Sequence, residues 1–203
     1  MEKTIKNWVF PVNCGTENGV SDGCGVLVGN LFITAGHVIE HAVTASVYIN
    51  QVSHQLRKED AVFYSFFDKE ELEPGCSDIA VFKLEGVEPS PLTLREDAPI
   101  VGEELISVSF RRPSKRAKEL FGYASNDDEF ELVACDARVA ELSNNFFACE
   151  MSVTLKPGSS GSPVIDTAGR VVGILHGGVE GMDNHCVFQS VSNLAIKNIV
   201  AAH

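Results

Sequence analysis

Apolar residues recur at every second position in short runs along nearly the whole chain, and clusters of Gly, Asn, Asp and Pro separate the runs. Alternation at period two places one set of side chains on one face of a pleated strand, so the pattern predicts an all-β fold. In the first half strands are expected at Val9 to Val12, Gly25 to Val28, Leu31 to Thr34, Ala45 to Val52 and Ile79 to Leu84. In the second half they are expected at Leu105 to Phe110, Glu129 to Val139, Phe146 to Val153, Val164 to Asp166, Arg170 to Leu175 and Val187 to Val191. Gly29-Asn30 and Asp166 to Gly169 read as hairpin turns. The stretch from Glu88-Pro89-Ser90-Pro91 to Val101-Gly102 reads as a linker between two sheets. Helical spacing is confined to Ser192 to Ala202, where Leu194, Ile196, Ile199 and Val200 share a face. A short C-terminal helix is expected there.

At 203 residues such a chain forms one folded unit with a sizeable core. Its longest apolar stretches, Gly25 to Val28 and Val171 to Leu175, are strand-sized, which argues against a bilayer-spanning helix. Met1 to Trp8 lacks the apolar segment of a secretion signal, so the expected location is the cytoplasm. A net charge of −12 argues against nucleic acid or an anionic membrane as partner, since affinity for either comes from neutralising phosphates with Lys and Arg. The one basic run, Arg111 to Lys118, is broken by Pro113 and followed by acidic Asp127-Asp128-Glu129, and reads as a solvated loop. Cys14, Cys24, Cys76, Cys135, Cys149 and Cys186 form no C-x-x-C pair, so neither a metal site nor a redox motif is expected; buried free thiols are.

Three segments carry groups suited to amide hydrolysis, which needs a nucleophile, a proton-shuttling base and donors for an oxyanion. In Thr34-Ala35-Gly36-His37-Val38 a histidine directly follows a strand, and an imidazole titrates near neutral pH. In Ser77-Asp78-Ile79-Ala80-Val81 a carboxylate stands at the start of an apolar strand, able to accept from an imidazole N–H and fix its tautomer. In Pro157-Gly158-Ser159-Ser160-Gly161-Ser162-Pro163 a glycine-flanked turn exposes a serine, with the backbone N–H groups of Gly158 and Ser160 available to an oxyanion. Each segment alone also fits a bland role: a satisfied structural histidine, a strand-start aspartate, an ordinary turn.

Taken together, these residues resemble the trypsin-like, chymotrypsin-fold serine proteases, especially their disulfide-poor bacterial and viral branches with a G-x-S-G-S-P turn. The order His37, Asp78, Ser160 is similar to that family's, and the resemblance runs to the Phe188-Gln189-Ser190-Val191 strand. It implies two six-stranded antiparallel barrels, the first within 1–90 and the second, with the helix, within 100–203. It further implies a cleft between them, a serine endopeptidase acting on polypeptides through an acyl-enzyme, and no cofactor. Ser159 stands where the secreted zymogen branch has an aspartate, and Val38 where many secreted members have a bridged cysteine. Both departures fit the intracellular, bacterial or viral-type branch.

By the same resemblance, the substrate pocket is walled by Thr154-Leu155-Lys156, by His176-Gly177-Gly178 and by the region around Cys186. Thr154 occupies the place of the trypsin aspartate, so a preference for Arg or Lys is not implied. Glutamate- and glutamine-specific relatives carry a histidine in this strand, and Thr154 with His176 fits that role. His176 also lies one residue later than such a histidine, and a shift of one reverses the facing of a strand, which would turn it toward Asp78. The rival function is a catalytically silent peptide-binding module on the same fold, against which stands the presence of all three triad residues. An α/β esterase would need a helix after its serine, and Pro163 with a following strand argues against that.

Overall fold

The computed structural model describes residues 5–17, 19–67, 76–111, 131–192 and 199. A 3-10 turn at Lys6–Trp8 leads into β1 (Val9–Thr16), which pairs along its length with β2 (Gly19–Val28). The hairpin to β3 (Leu31–Thr34) turns through Gly29 and Asn30, and Gly29 takes the left-handed backbone such a turn requires, at φ 58°. A single helical turn, α1 (Gly36–Glu40), separates β3 from β4 (Thr44–Ile49), β5 (Val52–Gln55), β6 (Phe63–Ser65) and β7 (Ile79–Lys83). These strands make one antiparallel sheet in the order β5-β4-β1-β2-β3-β7-β6.

The second half contains β8 (Thr93–Leu94), β9 (Glu104–Arg111), β10 (Glu131–Ser143), β11 (Phe146–Met151), β12 (Pro163–Ile165), β13 (Arg170–Val179) and β14 (Met182–Ser190). Six of them run β12-β9-β10-β11-β14-β13, and pairing of β12 with β13 closes the ring; β8 adds to β13 in parallel. The fold is the two-barrel β architecture, with a closed six-stranded barrel and a half-barrel sheet.

Period-two alternation accounts for the strands directly. Along β4, Ala45, Val47 and Ile49 are buried while Thr44 and Tyr48 are exposed. The single strand expected over Ala45 to Val52 is instead a hairpin, because Asn50 and Gln51 both adopt left-handed backbone, at φ 51° and 68°. Two short strands escaped the pattern. β6 has only three residues, and β8, inside the expected linker, exists through its long-range pairing with Arg170 and Val171. The expected C-terminal helix, Ser192 and Ile199 apart, and the basic loop beyond Arg111 lie outside the described residues.

The apolar cluster under the first sheet continues into the second through Val108, Ile165, Val171, Ile174 and Val191. Each such side chain contributes roughly 1.5–3 kcal/mol when fully buried. The seam between the sheets is therefore a shared core, and it fixes residues at the ends of β3 and β7 relative to the turn before β12.

Candidate active site

His37 and Asp78 are brought together by the ends of two neighbouring strands. β3 ends at Thr34, Ala35 stays extended, and α1 begins at Gly36, so His37 sits in the first turn of a short helix. A side chain at Gly36 is excluded, since a Cβ there would lie 2.1 Å from the Ser65 carbonyl oxygen and 3.0 Å from Asp78 Oδ1. Asp78 stands just before β7 and is fully buried. Its Oδ1 accepts the backbone N–H of His37 at 2.7 Å, and its Oδ2 lies 2.7 Å from His37 Nδ1. Burial pushes the Asp78 carboxyl upward, but the hydrogen bonds of His176 and His37, with the charge each ring carries once protonated, outweigh it and bring it down to about 2. An ionised carboxylate only accepts, so the His37 nitrogen facing it carries the proton and Nε2 is left as the basic atom.

His176 meets the same oxygen, with Nδ1 2.6 Å from Asp78 Oδ2. Its ring stacks on Phe67 at 5.4 Å, packs edge-on to Phe146 at 5.6 Å and lies edge-on to His37 at 5.7 Å. The pairing of β13 with β14 slips between Leu175 and Gly177, so His176 is the extra residue of a bulge. The bulge sets its facing. The substrate-pocket position for His176 is thus not the one adopted, and its side chain goes to Asp78. Two further groups of the second sheet's side hold this segment: Gln189 Oε1 accepts the Asp78 N–H at 3.1 Å, and the Asn145 side chain donates to the Cys76 carbonyl at 3.2 Å. Gln189 is fully buried, and the signal for it in the sequence is a lone amide after the apolar Val187-Phe188 of a strand.

Ser160 lies in a turn whose shape depends on two glycines, Gly158 at φ 95° and Gly161 at φ 87°. The Cys24 N–H donates to the Ser160 carbonyl at 2.7 Å, and the Gly161 N–H donates to Leu175 at 2.9 Å, so β2 and β13 grip the turn from both sides. A Cβ on Gly161 would fall 2.5 Å from Thr34 Oγ1 and 3.1 Å from the Ala35 nitrogen. The turn therefore packs directly against the residues that lead to His37. Of its three serines, Ser159 and Ser162 are buried, and Ser162 Oγ donates to the Ser159 carbonyl at 2.5 Å. Ser160 alone is only half-buried. Among the described residues no protein acceptor engages the N–H of Gly158 or of Ser160.

Beside Ser160 lies a cleft of about 340 Å³, lined in part by Thr154, Lys156, Gly177, Gly178, His185 and Cys186. Thr154, Gly177 and Gly178 thus share a cavity with Ser160; His185, which carried no motif in the sequence, lines it as well. All six cysteines are free thiols, five of them buried. His37, Asp78 and His176 also offer ligand atoms within 4.8 Å of one another, and the Nδ1 atom of each imidazole is engaged by the Asp78 carboxylate. Among the described residues no helix is long and apolar enough to cross a membrane.

No curated protein sequence matches the chain. Among solved structures, the active form of the Rv3671c protease from M. tuberculosis superposes with a TM-score of 0.69 at 16% identity, covering 96% of this chain and 80% of that one. Tobacco etch virus protease in complex with product gives 0.68 at 15% identity, covering 98% and 79%. An inactivated protease paralogue of the scabies mite gives 0.67 at 17% identity, covering 98% and 96%. At these identities the likeness establishes the fold. A model of the trypsin-like peptidase domain matches residues 22–174, which take in His37, Asp78 and Ser160. The chain belongs to the trypsin-like peptidase domain family.

Proposed function

We propose that this protein is a serine endopeptidase in which Ser160 is the nucleophile, His37 the general base and acid, and Asp78 the group that orients His37. The observation that carries the reading is the 2.7 Å contact of His37 Nδ1 with a buried, ionised Asp78, which leaves Nε2 as the basic atom in a segment that packs on the Ser160 turn. Ser160 Oγ attacks the peptide carbonyl carbon while its proton passes to His37 Nε2. The carbonyl oxygen becomes an oxyanion, which the N–H groups of Gly158 and Ser160 receive; one such donor is commonly worth about 10²–10³ in rate. Collapse of the tetrahedral species expels the amine, which takes the proton from Nε2, and water then releases the acyl group from Ser160 by the same steps in reverse order. No cofactor enters this sequence.

The substrate is a polypeptide that lies along β13, where Gly177 and Gly178 leave room for a strand to approach the backbone. The tobacco etch virus protease has been seen with substrate and with product, which supports a peptide in the equivalent groove. Incubation of the protein with a peptide library tests the reading. Wild type should cleave internal bonds and Ser160→Ala should cleave none. Equal cleavage by both would remove Ser160 from the reaction, and binding without cleavage by wild type would favour the silent peptide-binding module.

A further inference from the structure

Asp78 Oδ2 is shared by two imidazoles, one from α1 beside the first sheet and one from β13 of the second: His37 Nδ1 at 2.7 Å and His176 Nδ1 at 2.6 Å. We propose that His176 is a positioning residue, whose Nδ1–H holds the Asp78 carboxylate from the second sheet in the orientation that His37 needs. This rests on the peptidase reading for its consequence in rate, though not for its geometry.

Among the described residues no other donor reaches the carboxylate from that side. Oδ1 is taken by the backbone N–H of His37, and with both donors of His37 on the first sheet's side the carboxylate would be anchored from one direction only. His176 closes the opposite side. Its ring is itself fixed, stacked on Phe67 with an interplanar angle of 13° and edge-on to Phe146, so Nδ1 arrives at Oδ2 with little rotational freedom. The bulge at His176 is what allows a β13 side chain to leave the sheet's alternation and reach Asp78. Gln189 and Asn145, on the same side, anchor the backbone of residues 76 and 78, so the side chain and main chain of Asp78 are located by one set of groups. Because the carboxylate is ionised it only accepts, and both facing nitrogens must donate. The relative position of the two sheets is thereby written into the orientation of the catalytic imidazole.

Two substitutions separate donation from packing. His176→Asn keeps an N–H donor where Nδ1 stands, and His176→Phe keeps the aromatic stack without a donor. On the peptide substrate, His176→Phe should lower kcat by about ten- to a hundredfold, the range expected when a buried charge loses one hydrogen bond. KM should hold within about threefold, and His176→Asn should restore kcat to within about threefold of wild type. Proton NMR of the resting protein gives an account independent of turnover. Wild type should show two downfield imidazole N–H resonances and His176→Phe one. Retention of both resonances in His176→Phe, or a kcat equal to wild type in a folded His176→Phe, overturns the proposal. A failure of the resonance count strikes this inference alone, whereas absence of turnover in wild type strikes the peptidase reading.

Discussion

The backbone N–H of Cys24, on β2, donates to the carbonyl of Ser160 at 2.7 Å, so a strand of the first sheet is bonded to Ser160 itself. Gly161 makes that approach possible: a Cβ there would stand 2.0 Å from the Cys24 carbonyl oxygen, and its φ of 87° is strained for any other residue. Gly161→Ala should therefore cost about 3 kcal/mol or more of stability and leave the folded fraction nearly inactive, since the turn must retreat from the first sheet. Chemical denaturation alongside peptide hydrolysis checks this. A variant of wild-type stability and rate would show that the contact does not hold the turn.

Asp78 is held down to about 2, so its ionised form stabilises the fold. A carboxyl lowered in the folded state contributes fully above its unfolded value near 4 and loses that contribution as the pH falls toward 2, and a shift of this size is worth about 2 kcal/mol. The stability gap between wild type and Asp78→Asn should hold steady from pH 7 to about 5 and narrow between pH 4 and pH 2. A gap independent of pH over that range would place the carboxyl outside any such network. At pH 7 the same variant should lose roughly three to four orders of magnitude in kcat, because an amide presents a donor to Nδ1 and favours the wrong tautomer of His37.

Gly178 borders the cleft, and a Cβ added there would come no closer than 3.9 Å to its nearest neighbour, the His185 carbonyl oxygen. Gly178→Val should stay within about 1 kcal/mol of wild-type stability. It should also raise KM for peptides by about tenfold or more, because the added bulk fills the cleft along which the peptide is proposed to lie. Unchanged KM would move the substrate away from β13.

Burial raises the thiols of Cys14 and Cys149 to about 12, and of Cys135 and Cys186 to about 11, with nearby acidic groups and thiols adding to it for all but Cys186. Cys24 is raised as well, chiefly by its burial. Cys76, only half-buried, should be alkylated by iodoacetamide at neutral pH at least about tenfold faster than these five, as mapped by mass spectrometry. Comparable labelling of Cys14 or Cys149 in the folded protein would contradict the packing of the two cores.

The all-β class and the trypsin-like family were legible because both rest on local signals: period-two alternation in strands such as β4, and three short segments around His37, Asp78 and Ser160. What escaped depends on distant partners. β8 is two residues long and exists only against Arg170 and Val171. The turn at Asn50-Gln51 has no glycine to announce it. His176 is the clearest case, since its facing follows from a bulge in the β13–β14 pairing rather than from anything in Leu175-His176-Gly177. The sequence left two orientations open for it, and the register of the opposing strand selects between them.

The peptidase reading turns on Ser160 acting as a nucleophile activated through His37 and Asp78. A serine-directed phosphonofluoridate tests it without any knowledge of the natural substrate, because the reagent needs only an activated hydroxyl and an oxyanion site. Labelling of the purified protein followed by peptide mass mapping should place one adduct on Ser160 in wild type and none in Ser160→Ala, with His37→Ala sharply slowed. No adduct on wild type, or an adduct that persists in Ser160→Ala, would contradict the account.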